Sequence, residues 1–260
     1  AGAGIGRVIM VDRAPSAGQV VDTETAREFM QETLARISDA EVRMVADELE
    51  RKHEGFARRL SDGRAARIEA GDIQALLRSI FATRRRMTAF EASPSLDWWR
   101  GAIPELLEGS AALPQRFQAF VDALPSSLDI RVRRELASEF LHFSDPDRYW
   151  LWTRWVWEPE ARTGALPLVV TSDFVLDAPD AGDAYVRVGE AVVFVQQTAE
   201  AAGLQRGVRG IFGTDVYLAC VYGVYLYTVL RLRMTQEFNK VIPALPELIR
   251  RLLGTYRLEI

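Results

Sequence analysis

Two pairs of glutamate and histidine are the residues of this chain whose types and spacing could do chemistry. Glu50 precedes His53 by three residues, and Glu139 precedes His142 by three residues. Residues three apart share a face of an α-helix, so each pair could present a carboxylate and an imidazole to one metal ion. These four residues are the predicted metal ligands, with iron or manganese as the metal.

Pairs of this kind on two helices, with one further glutamate from each of two others, resemble the ligand set of ferritin-like di-iron and di-manganese carboxylate proteins. The resemblance implies a helical bundle with an oxidase or oxygenase centre in its core. Glutamates that could complete the set are Glu24 or Glu28 and Glu105 or Glu108.

The alternative interpretation is that the two pairs are exposed and only support their own helices. The predicted helix from Arg131 to Phe143 gathers its apolar residues on one face, and Glu139 and His142 fall on the opposite face. That position predicts contact with solvent instead of ligation in a core. On this interpretation no cofactor is expected.

The segment from Glu139 to Trp157 holds four of the six tryptophans. Asp145 followed by Pro146 is typical of a helix start, which predicts a short helix with an aromatic wall. One interpretation is a core element that joins two helical halves, because aromatic rings are usually buried. The other is a stacking or cation-binding cage for a small ligand or a protein partner. Its residues would be Tyr149, Trp150, Trp152, Arg154 and Trp155.

The same region carries a second resemblance. Its residues are Leu124-Pro125-Ser126-Ser127, a helix through Ala137 and Leu141, His142-Phe143-x-x-Pro146-Asp147-Arg148-Tyr149, and Trp155-Val156. This order is similar to the hairpin and following segment of helix-hairpin-helix DNA glycosylases. The hairpin glycines are absent, and Trp152 or Thr153 stands where that family has its catalytic aspartate. The resemblance therefore implies a degenerate, non-catalytic relative.

Apolar residues recur at helical spacing through most of the chain, which predicts a mainly α-helical protein with a single domain over residues 1–260. We expect an N-terminal helical bundle at 20–124 and a helical C-terminal half at 128–260. The most plausible subdomain joint is the Pro-Ser-Ser segment at 125–127.

Two further elements are predicted in the C-terminal half. Val216 to Leu230 contains several tyrosines and no charged residue. It is too short for a membrane span, which needs about 20 apolar residues, so it is predicted as a central buried helix. Leu166 to Val170 and Asp173 to Leu176 are predicted as short strands that form a small β element.

The net charge of -4 argues against nucleic acid as a partner, because the field of the whole protein repels polyanions. Lys52 and Lys240 are the only lysines among 32 basic residues, which is typical of a GC-rich bacterial genome. The single cysteine, Cys220, excludes an internal disulfide, and no secretory leader is visible. We therefore expect a cytoplasmic bacterial accessory or interaction protein, with a protein partner, a second copy of itself or a small ligand bound near residues 140–157.

Overall fold

A computed structural model describes residues 36–90, 93–171, 173–201, 210–233 and 243–258, together with residues 28, 31, 32 and 260. Its helices, numbered in chain order, are α1 (Asp39–Leu60), α2 (Ala70–Ser79), α3 (Leu96–Glu108), α4 (Leu113–Ala123), α5 (Ile130–Ser144), α6 (Leu166–Val169), α7 (Ala181–Ala201), α8 (Gly213–Arg233) and α9 (Leu245–Leu252). Short 3-10 helices are present at Ala65–Arg67 and Met87–Phe90. The fold is mainly α-helical, as the sequence predicts. The start of the predicted N-terminal bundle, residues 20–35, lies largely outside the described residues.

Short polar residues fix where several helices begin. Ser38 and Glu41 form a reciprocal cap at the start of α1, because the amide of Glu41 donates to Ser38 Oγ and the amide of Ser38 donates to Glu41 Oε2. Asp180 accepts from the amide of Asp183 and so caps the start of α7.

Helix α5 occupies the centre of the protein. It packs against α1, α3 and α4, and α4 in turn packs against α7. Every residue from Arg134 to Phe143 is buried. The expectation that Glu139 and His142 face solvent is therefore wrong, because neighbouring elements cover both sides of the helix and supply partners for its polar groups.

The predicted β element at residues 166–176 is not present in the described residues. Leu166–Val169 forms a single helical turn, α6, with Pro167 in its first turn. A short apolar run cannot be assigned to strand or helix from its periodicity, and proline suits the start of a helix. Glu158 and Thr163 make one isolated antiparallel bridge in this region.

The segment after α5 also differs from its prediction. Residues 146–148 form a turn and residues 149–153 have no regular structure, so no helix begins at Pro146. The chain is extended here because its large side chains lead into different parts of the core, each to its own partner.

Helix α8 is the central apolar helix that the sequence predicts. It packs against α1, α7 and α9. Its first residues, from Gly213 to Val221, are buried, as is Phe212 just before the helix. None of the described helices is long and apolar enough to cross a membrane. The segment at 125–127 is a turn between α4 and α5, and one continuous apolar core extends across both halves.

Candidate functional site

The first predicted metal pair, Glu50 and His53, lies on α1, but its two side chains are in different environments. Glu50 is exposed. His53 is half-buried, and its Nδ1 lies 2.9 Å from the carbonyl oxygen of Phe143. Because a carbonyl only accepts, this contact places a proton on Nδ1.

The second pair, Glu139 and His142, lies in the core. Lys52 Nζ donates to Glu139 Oε2 over 2.5 Å. His142 Nδ1 lies 3.0 Å from the carbonyl oxygen of Tyr149, and its Nε2 lies 3.2 Å from Asp215 Oδ2 without the alignment of a hydrogen bond. In the described part of the chain, no three His, Cys, Asp or Glu side chains are grouped so that they could hold a metal ion. This geometry gives no support to a di-metal centre.

The Lys52 and Glu139 ion pair takes the place of that centre. The Lys52 side chain is completely buried, and its Nζ also lies 3.4 Å from the carbonyl oxygen of Leu253 and 4.2 Å from the centre of the Phe143 ring. Burial lowers the pKa of Lys52 and raises the pKa of Glu139, and in each case the opposite charge of the partner counters the shift. The two residues are 87 positions apart, so sequence spacing could not reveal the pair.

The predicted aromatic cage is part of the core. Tyr149, Trp150, Trp152 and Trp155 are each at most 4% exposed. Their polar atoms donate to backbone carbonyl oxygens of separate elements. These bonds are Tyr149 Oη to Leu107, Trp150 Nε1 to Tyr185, Trp152 Nε1 to Trp157 and Trp155 Nε1 to Leu252, at 2.7 to 3.1 Å. The rings thus join the two halves of the protein and have no open face for a ligand.

Arg154, the fifth residue of the predicted cage, lies at the surface. Its Nε donates to Glu135 Oε1 over 2.6 Å, so its charge is already paired. A depression beside it, lined by Trp152 and Trp157 among others, encloses only about 10 Å³. This is the room that one water molecule needs, so a small organic ligand does not fit there.

A larger opening lies between α1 and the residues after α9. Its volume is about 450 Å³, which is within the range of small-ligand sites. We call it the arginine cleft. Its charged lining residues are Arg51, Arg58, Arg250, Arg257, Glu48 and Glu54.

Two elements present these charges to one space. Arg51 and Arg58 are seven residues apart on α1, so they project from the same face two turns apart. Arg250 on α9 donates from Nε and Nη2 to the two carboxylate oxygens of Glu48, at 2.8 and 2.5 Å. This bidentate pair neutralises Glu48 and fixes α9 against α1.

The wall of the cleft opposite α1 is the turn after α9. The amides of Thr255 and Tyr256 both donate to the carbonyl oxygen of Arg250, which closes the end of α9. Gly254 has a φ of 72°, and a Cβ atom there would lie 3.0 Å from Lys52 Nζ. Glycine is therefore required both by the backbone conformation and by the close approach of the buried ammonium group.

Further contacts attach this wall to the rest of the protein. Arg84 Nη1 donates to the carbonyl oxygen of Tyr256 over 3.1 Å. Ile260 packs so closely on α1 that a Cβ atom at Gly55 would lie 2.5 Å from its Cγ1. The wall is thus held in place before any ligand arrives.

No family model, no curated protein and no solved structure matches the chain. The resemblance to helix-hairpin-helix glycosylases and the spacing shared with ferritin-like proteins are therefore not supported by any matching protein.

The charge of the arginine cleft is opposite in sign to that of the whole protein. Among the described lining residues, four arginines and two glutamates give a net side-chain charge of +2, while the chain carries -4. Arg257 also has a φ of 56°, in the left-handed region that residues other than glycine rarely adopt. Such backbone conformations are often found at binding sites. The arrangement can hold an anion, because guanidinium groups match carboxylate and phosphate oxygens two at a time.

Sequence reasoning missed this site. The high arginine content gave a signal, but codon usage explained it equally well. The seven-residue spacing of Arg51 and Arg58 on α1 was visible in the sequence, whereas Arg250 and Arg257 lie about 200 positions further along the chain. Only the packing of α9 on α1 brings the four together.

Proposed function

We propose that this chain is an accessory protein of the bacterial cytoplasm that acts by binding a small anion in the arginine cleft. The ligand class is a small molecule with at least one phosphate group. The observation that carries the proposal is the net charge of +2 in a cleft of about 450 Å³, on a protein whose overall charge is -4.

The state of the four guanidinium groups supports this ligand class. Arg250 is already paired with Glu48, so it orients the cleft more than it attracts a ligand. Arg51, Arg58 and Arg257 are exposed, and Glu54 is the other acidic residue among the lining residues that the structure describes. Three cations against one carboxylate favour a ligand with two or more negative charges, such as a phosphate ester or a diphosphate.

The aromatic segment keeps a role in this proposal as the support of the site. Trp155 Nε1 donates to the carbonyl oxygen of Leu252, at the last residue of α9. Lys52 contacts both the Phe143 ring and the carbonyl oxygen of Leu253. On this proposal no described residue of 140–157 lines the ligand site, and the aromatic rings there support the end of α9 that leads into its wall.

The test is titration calorimetry with pyrophosphate at low ionic strength. We expect saturable binding by the unmodified protein, because charged groups across a partly enclosed cleft are weakly screened. Arg58→Gln removes one charge-assisted contact, which is worth about 1.5 to 3 kcal/mol, so it weakens the affinity at least about tenfold. Raising the salt concentration weakens binding further.

The matched control is Arg43→Gln. Arg43 is an exposed arginine of the same helix outside the cleft lining, and its substitution makes the same change in net charge. Its effect on pyrophosphate affinity should stay within about twofold. Equal losses in Arg43→Gln and Arg58→Gln would mean that the whole field attracts the anion, and would refute a defined site.

A further inference from the structure

A second opening, at the surface beside α2, has a different chemistry. It lies between α2, the 3-10 helix Met87–Phe90 and the start of α3, and its volume is about 280 Å³. We call it the α2–α3 groove. Its apolar lining residues are Ala70, Ile73, Leu77, Met87, Phe90, Pro94, Leu96 and Trp99.

The floor of the groove is rigid and apolar. Ile73, Leu77 and Trp99 are at most 5% exposed and belong to the main core. Trp99 is fixed from below, because its ring packs against Phe140 of α5 with 6.0 Å between centres. A floor of this kind offers dispersion contact and apolar burial to an aliphatic or aromatic group.

One cation stands at the edge of this apolar surface. Arg78 is exposed, and it is the single charged residue among the lining residues that the structure describes. No carboxylate of the described residues forms a salt bridge with it. An arginine beside an apolar groove can bind a carboxylate while the groove buries the attached hydrocarbon.

We infer that the α2–α3 groove binds an apolar carboxylic acid, with its hydrocarbon against Ile73, Leu77 and Trp99 and its carboxylate on Arg78. The volume sets the size of the acid. A space of about 280 Å³ lies at the lower edge of the range for small-ligand sites, which suits a small acid such as octanoate. This ligand and site are separate from the anion of the arginine cleft.

Titration calorimetry with octanoate and with octanol tests the inference, because the two probes share the hydrocarbon and differ in charge. Octanoate should bind at least about tenfold more tightly than octanol, since a charge-assisted hydrogen bond contributes roughly that factor. Arg78→Gln should reduce octanoate to the affinity of octanol. Arg85→Gln, an exposed arginine outside the lining, should leave octanoate binding unchanged.

A blocking variant locates the bound probe. Ala70 lines the groove and is exposed, so Ala70→Trp fills the opening without entering the core. It should abolish octanoate binding while thermal unfolding stays that of the parent protein. Octanoate binding that survives Ala70→Trp would overturn the assignment. So would equal binding of octanol and octanoate, because Arg78 would then take no part in binding.

Discussion

Removing one partner of the Lys52 and Glu139 pair should destabilise the protein far more than removing both. In Glu139→Leu the ammonium group of Lys52 stays completely buried, with only the Leu253 carbonyl oxygen at 3.4 Å and the Phe143 ring at 4.2 Å. An unpaired buried charge costs about 3 to 5 kcal/mol, which is a large part of the 5 to 15 kcal/mol that holds a typical domain together.

The double variant Lys52→Met, Glu139→Leu should behave differently. Both desolvation penalties disappear together with the attraction between the charges, and the new side chains have similar volumes. Its free energy of unfolding should lie within about 1 kcal/mol of the parent protein, and replacement of a buried ion pair by apolar residues is sometimes stabilising. The interaction energy in the double-mutant cycle should therefore be at least about 2 kcal/mol.

Equilibrium unfolding in urea, followed by tryptophan fluorescence, gives the free energy of unfolding of the parent protein, Lys52→Met, Glu139→Leu and the double variant. The six tryptophans give a strong signal. Glu50→Leu is the control, because Glu50 is exposed and its loss should cost no more than about 0.5 kcal/mol. The reasoning fails if each single variant loses under about 1 kcal/mol, or if the double variant loses the sum of the two.

Three further predictions concern the packing, the titration and the capping of the fold. A Cβ atom at Gly189 would lie 2.1 Å from the Trp150 ring, so Gly189→Ala should lower the free energy of unfolding by about 2 kcal/mol or more. Burial and the neighbouring Glu160 carboxyl raise the pKa of Glu158 to about 7 from 4.5. Between pH 4.5 and 7 the Glu158 carboxyl therefore keeps its proton in the folded state and loses it in the unfolded state. The free energy of unfolding should fall as the pH rises through this range. Glu158→Gln should reduce that fall by on the order of 1 kcal/mol. Ser38→Ala removes the α1 cap and should cost about 1 kcal/mol.

Each of these has a distinct contrary result. A Gly189→Ala variant as stable as the parent would show that Trp150 can turn away without loss. An unchanged pH dependence in Glu158→Gln would assign the titration to another group. A Ser38→Ala variant that unfolds at the same urea concentration as the parent would mean that α1 is fixed by its packing alone.

Local patterns in the sequence were enough to predict most of the helices. The apolar residues Val42, Val45 and Leu49 recur at helical spacing and lie on the buried face of α1. The charge-free run after Val216 predicts the burial of α8. These predictions succeed because helix period and capping depend on residues close together in the chain.

Local patterns fail where a distant residue supplies the partner. From its sequence pattern, the face of α5 that carries Glu139 and His142 is predicted to be exposed. In the folded protein, Lys52 of α1 and Asp215 of α8 lie against these two residues. The aromatic segment looks helical until the indole N–H groups of Trp150 and Trp155 are matched to carbonyl oxygens of α7 and α9. Satisfying buried polar groups outweighs local helix preference here, because an unpaired buried donor costs about 1 to 3 kcal/mol.

The two openings show the same limit. The α2–α3 groove could have been suspected, because Ile73, Leu77 and Arg78 lie on one predicted helix. Its depth could not, since that depends on how Trp99 packs against α5. The arginine cleft forms because the turn after α9 packs on α1. This contact joins residues that are far apart in the chain, so the sequence pattern could not predict it.

The burial of α5 on every side has a consequence for how the protein opens. Amide hydrogens exchange with solvent when their region unfolds, and every residue from 134 to 143 is buried in the folded protein. Their exchange rates should converge on one slow value set by complete unfolding, whereas the amides of α2 and α9 should exchange through smaller openings. The centre of this protein should therefore unfold last, in a single cooperative step.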